Sequence, residues 1–180
     1  MPGDKEILAL YHSGEGEKAF RALMTAYQEK LYWHIRRFTC THEDADDLLQ
    51  ETFIKVWNAL PDFREDSRLF TWLYRIATNE CLNFLRKKRL RNIFSSEPLE
   101  SIMFKKIDED EYFNGNHLQR ELMKAIQKLP PRQKAVFNMR YFDNLSYNDI
   151  SEILGISPGA LKASYHHAYK KIKEELEKIF

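Results

Sequence analysis

Cysteine is nearly absent. Only Cys40 and Cys81 occur in 180 residues, with no CxxC pair, which removes the common zinc and dithiol motifs and leaves free thiols of a reducing compartment. Glycine and proline number six each, too few for a low-complexity chain. No run approaches the 18 apolar residues of a membrane helix, so no membrane insertion is expected. The opening "MPGDKEILALYHSGEGEK" lacks the apolar stretch of a secretory signal, and a cytoplasmic location is the expectation. No segment sustains the apolar–polar alternation of strands. HExxH, Walker and GxSxG motifs are all missing, so no enzyme, cofactor or metal is expected. His34, Cys40 and His42 have the chemistry of ligands but no fourth partner nearby.

Net charge is also small, +1 with 28 basic and 27 acidic residues. Its distribution is not even. Residues 86–91, "RKKRLR", hold five cations, and residues 43–51, "EDADDLLQE", hold five carboxylates. Residues 97–111 have six acids against two lysines. Segregation of this kind points to several partner surfaces.

What is present is helical periodicity almost throughout. The spacing predicts helices near 4–12, 16–38, 43–59, 68–91, 117–128, 131–142, 147–154 and 158–178. A break at 93–116, with Pro98, Gly115 and the acidic cluster, reads as a linker with room for one short helix. The domains are therefore 1–92 and 117–180, each small enough to depend on tight helix packing.

In "LSYNDISEILGISPGALKASYHHAYKKIKEEL" (145–176), Ser146 and Asp149 have capping-box spacing. Gly155 can take the left-handed conformation that ends a helix. Ser157 then caps a second helix, with Pro158 at its first position. Helix, glycine turn and capped second helix make a helix-turn-helix. The second helix turns Leu161, Tyr165, Ala168, Ile172 and Leu176 inward. Lys162, Ala163, His166, His167, Lys170 and Lys171 face or flank the outside, where they suit base edges and phosphates.

Two helices of the first domain carry residues a plain amphipathic pattern does not explain. On the acidic helix, Ile54 lies among Asp44, Asp47, Gln50 and Glu51 on the outward face, as a binding hot spot does. On "TWLYRIATNECLNFLRKKRLR" (71–91), Trp72 falls among Arg75, Asn79, Asn83 and Arg86, opposite the core stripe, with Lys87 beside them. An indole among cations and amides, away from the core stripe, is not what a plain amphipathic helix needs.

These blocks resemble, in order, those of extracytoplasmic-function (ECF) sigma factors of the sigma-70 family. "GEKAFRALMTAYQEKLYWHIRRF" is similar to the family's opening helices, and "DADDLLQETFIKVW" to its polymerase-binding helix. "FTWLYRIATNECLNFLRKKR" is similar to its promoter-melting helix, and "IQKLPPRQKAVFNMRYFDNLSYNDISEILGIS" to the approach to its DNA-reading helix. The resemblance implies an all-α sigma-2 domain, an acidic flexible linker and a sigma-4 domain. It also implies binding to the β′ and β subunits of core RNA polymerase, contact with promoter DNA and an anti-sigma partner. Asp44, Asp47, Gln50, Glu51 and Ile54 would grip β′. Trp72, Arg75, Asn79, Asn83, Arg86 and Lys87 would engage the melted −10 element, aided by the loop "LPDFREDSRLF". The acidic linker would imitate RNA against basic walls. Phe70, Asn83 and "LKASYHHAY" (161–169) depart from common family residues, so neither promoter element carries over. The competing reading is a two-domain helix-turn-helix regulator that binds duplex DNA without polymerase.

Overall fold

The structure is a computed structural model that describes residues 3–113 and 116–179. The first unit comprises α1 (Asp4–His12), α2 (Gly16–Thr39), α3 (His42–Ala59) and α4 (Leu69–Asn92). In α2, Leu23, Tyr27, Leu31 and Ile35 repeat at four residues and are buried, making one continuous stripe. Cys40 ends that helix in the left-handed region at φ 68°, an uncommon conformation for a residue with a Cβ. Thr41 then starts α3, its hydroxyl accepting the Asp44 N–H at 3.1 Å. Ala45, Leu48, Phe53 and Val56 of α3 meet Leu73, Tyr74, Ala77 and Cys81 of α4 in one apolar core. Each large apolar side chain so buried contributes about 1.5–3 kcal/mol.

The second unit comprises α6 (His117–Gln127), α7 (Pro131–Tyr141), α8 (Tyr147–Leu154) and α9 (Pro158–Glu177). Both ends of its helix-turn-helix take the local geometry their residues prescribe. Ser146 Oγ accepts the Asp149 N–H while the Asp149 carboxylate accepts the Ser146 N–H, both at 3.1 Å. Gly155 closes α8 at φ 67°, and Ser157 Oγ accepts the Ala160 N–H at 3.4 Å. Leu161, Ala168 and Ile172 are buried, with Tyr165 and Leu176 half-buried beside them.

The linker is more ordered than a flexible tether. Its middle is α5 (Leu99–Asp108), which buries Met103 and Ile107 and packs on α6. Three of its six carboxylates are paired within the chain: Glu97 with Lys105 at 2.7 Å, Asp108 with Lys124 at 2.7 Å, and Asp110 with Arg36. Gly115, on which the break was partly placed, lies outside the described residues.

The two units are also packed together, which no local pattern foretold. Helices α7 and α8 of the second lie on α2 and α4 of the first.

Candidate functional site

Helix α3 turns its acidic side outward with Asp47, Gln50 and Glu51 exposed, and Ile54 at 60% exposure stands beside them. Trp57, 43% exposed and one turn further on, was not singled out in the sequence. The same helical wheel contains it, three residues from Ile54. Its ring meets Phe20 edge-on at 5.0 Å. Ile54, Trp57, Leu49, Phe53, Phe20 and Met24 line an open apolar groove of about 610 Å³ between α2 and α3.

Asp44 is less available than its neighbours. Lys88 Nζ donates to its carboxylate at 2.7 Å, and Lys106 stands 3.9 Å away. Burial opposes ionisation of Asp44, yet the Lys88 bond and charge, aided by Thr41 and Lys106, outweigh it and hold the carboxyl below its ordinary range. Lys88 also caps the Phe84 ring at 4.6 Å, so it serves α3–α4 packing as much as any ligand.

On α4, Asn79, Arg86 and Lys87 are exposed, and Asn83 is half-buried. Arg86 donates to Asn83 Oδ1 at 3.1 Å, which leaves the Asn83 amide N–H groups to turn toward a ligand. Trp72 is half-buried rather than open. Its ring leans on Phe63, 4.9 Å away in the loop before α4, so that loop holds one face of the indole. Phe70 packs against Tyr74 at 4.4 Å. Asp44, Asp47 and Glu51 from α3 share one cleft of about 220 Å³ with Asn83 and Lys87 from α4. The acidic and basic sets thus adjoin along one side of the unit. Arg75 goes elsewhere: its guanidinium donates to the Glu152 carbonyl of α8 at 2.8 Å.

On α9, Lys162, Ala163, His166, His167, Lys170 and Lys171 are all exposed. The two imidazoles lie 6.2 Å apart, Lys162 stands over the Tyr147 ring at 5.9 Å, and Lys170 is 3.9 Å from Glu174. Behind them, Leu122, Phe137, Tyr141, Tyr169, Ile172 and Leu176 line a second apolar groove of about 430 Å³. The sequence reading missed it, because its walls come from three helices.

His34, Cys40 and His42 do not converge. His34 reaches Asp143 and Thr78, Cys40 is buried, and His42 faces Tyr32 and Asp46. Among the described residues, no group of three His, Cys, Asp or Glu could hold a metal, and no helix is long and apolar enough to cross a membrane.

Residues 23–91 match the model of sigma-70 region 2, and residues 119–172 match that of sigma-70 region 4. The ECF RNA polymerase sigma-E factor of Escherichia coli is 30% identical, covering 98% of this chain and 95% of that protein. The RNA polymerase sigma-H factor of Pseudomonas aeruginosa is 29% identical, covering 98% and 95%. CnrH, solved in complex with the cytosolic domain of CnrY, superposes with a TM-score of 0.69 at 22% identity, covering 97% of both chains. The sigma factor RpoE of Bartonella quintana, solved in complex with the anti-sigma factor NepR, gives 0.66 at 21%, covering 89% and 98%. Two helical units, a capped helix-turn-helix in the second and these likenesses along the whole chain lead to one assignment: the chain belongs to the ECF class of the sigma-70 family of RNA polymerase sigma factors.

Proposed function

We propose that residues 1–92 act as the sigma-2 domain, residues 93–116 as the linker and residues 117–180 as the sigma-4 domain of a promoter-specificity factor. Core RNA polymerase is bound through the acidic face of α3, with Asp47, Gln50, Glu51 and Ile54 as contacts and Asp44 as a packing residue that also shapes the cleft. The β′ subunit lies on this face and β on the aromatic groove of the second unit. Trp72, Asn79, Asn83, Arg86 and Lys87 engage the separated −10 strand, and Arg75 joins them once free of α8. Lys162, Ala163, His166, His167, Lys170 and Lys171 read the −35 duplex.

One observation carries this reading. Ile54 and Trp57 are large apolar side chains left in water beside carboxylates, and a hydrophobic anchor ringed by charge is the composition of a protein-binding hot spot. Duplex-only regulation gives that face no role. The likenesses to CnrH and to Bartonella quintana RpoE, each solved with a partner, support an anti-sigma partner here too. Ile54→Glu and Asp47→Lys are expected to lose co-purification with core polymerase while keeping wild-type helix content. Recovery at wild-type yield from either variant would overturn the assignment of this face.

A further inference from the structure

The lysines that this chain draws out of water have carboxylate partners, with one exception. Lys88 donates to Asp44 at 2.7 Å, and Lys124 stands 2.7 Å from Asp108 and 3.1 Å from Glu121. Lys134 of α7 is buried more deeply than either, at 3% exposure, and forms no ion pair among the described residues. Its Nζ donates to Gln127 Oε1 at 2.6 Å, and the Gln127 amide is in turn anchored on the Arg37 carbonyl at 3.1 Å. A lysine is rarely buried in full unless it is paired. An ammonium has three N–H donors, and this amide oxygen takes one.

Lys134 lines a cleft of about 260 Å³ between the end of α4, α5 and the connection from α6 to α7. Leu85, Leu99, Met103 and Leu129 make much of the lining apolar, so charges inside it interact more strongly than in open water. Arg89, in the same lining, is exposed and has no ion pair among the described residues. Lys128 is committed to Glu175. Glu100 is the one carboxylate of the lining and pairs with neither Lys134 nor Arg89. Pro130 and Pro131 bring the start of α7 to the cleft, and that helix has no side-chain cap. The positive end of its dipole therefore borders the same space.

We propose that this cleft binds a phosphate group, as the free ion or as a compact phosphomonoester, through Lys134 Nζ, the Arg89 guanidinium and the first turn of α7. A phosphate dianion brings the counter-charge that Lys134 lacks, and the guanidinium fork matches two of its oxygens. The volume falls below the roughly 300–1,000 Å³ of drug-sized sites, so the molecule bound is small. Burial lowers the Lys134 pKa to about 8, and the cation prevails at pH 7. The site uses none of the residues assigned above to polymerase or promoter contact.

The test uses the full chain in phosphate-free buffer at pH 7, titrated with sodium phosphate, glycerol phosphate or sodium chloride at matched ionic strength. With a Kd of about 1 mM, 10 mM ligand raises the folded-to-unfolded ratio about tenfold, read as a melting temperature about 3–5 °C higher. Saturable broadening of the phosphorus NMR line of inorganic phosphate reports the binding directly. Lys134→Met replaces the buried cation with an apolar chain of similar length, and is expected to lose both responses. Arg89→Gln changes only an exposed side chain and is expected to weaken binding about tenfold, which keeps the test open should Lys134→Met fail to fold. A response to inorganic phosphate alone assigns the free ion, and a stronger one to glycerol phosphate assigns the monoester. A wild type that answers phosphate no more than chloride would overturn the site, as would an equal response in both variants. Binding of single-stranded dT20 through Lys134 and Arg89, with no response to either small phosphate, would replace the site by a strand contact.

Discussion

Lys134 Nζ donates to Gln127 Oε1 at 2.6 Å in the space where α6 and α7 approach α2, and the partner is a neutral amide rather than a carboxylate. The lysine is 3% exposed. Burial pushes its pKa down to about 8, and Arg89 works in the same direction against Cys40 and Glu100. The unfolded chain holds this proton up to an ordinary lysine pKa of about 10.4. Between the two values the unfolded state binds more protons, so stability rises with pH across that window. Below about pH 8 the penalty is present in full, on the order of 3 kcal/mol. Lys134→Met is expected to raise the melting temperature at pH 7 and to flatten the profile from pH 8 to 10. An unchanged profile in urea titrations across that range would refute it.

Trp72 is half-buried at the start of α4, with its ring against Phe63. Base stacking on an aromatic ring contributes about 1–3 kcal/mol. Trp72→Ala is expected to reduce promoter opening by the holoenzyme about tenfold or more while sparing duplex binding through α9. Permanganate reactivity of unpaired thymines, normalised to folded protein, measures this. Normal opening with a large loss of thermal stability would make the indole a packing residue.

His166 and His167 stand exposed on the groove side of α9, with Lys162, Lys170 and Lys171 near them along the helix. Both rings lie on the face proposed to meet the duplex, where an imidazole can bond a base edge or a phosphate. Holoenzyme affinity for a −35 duplex selected from a randomised pool is expected to fall in His166→Ala/His167→Ala at constant salt. Unchanged affinity in the double variant refutes the prediction.

Gly155 closes α8 in the left-handed region at φ 67°, and a Cβ built there meets nothing within 4 Å. Gly155→Ala therefore isolates the backbone cost, about 1 kcal/mol, from any clash. Thermal unfolding is expected to show that loss. A neutral result would mean that the turn relaxes out of the left-handed region.

The helices, their caps and the orientation of each helix face were legible in the residues because they are local. Ser146, Asp149, Gly155 and Ser157 act within four residues of themselves, and Ile54 shows its exposure by angle alone. Helix α5 was weakly marked, since Met103 and Ile107 find their cover on α6 rather than within the linker.

Only the tertiary structure decided what faces what. The joining of Asp44, Asp47 and Glu51 with Lys87 in one cleft depends on how α3 crosses α4. The groove through Tyr141 and Tyr169 needs α6, α7 and α9 together. Asp143 finds His34 across 109 residues of chain and Arg37 across 106, and Arg75 finds Glu152 across 77. Residues so far apart have no local periodicity to bring them into register. Their meeting follows from burial of apolar stripes that could dock in more than one way, and hydrogen bonds select among those dockings only after the helices exist.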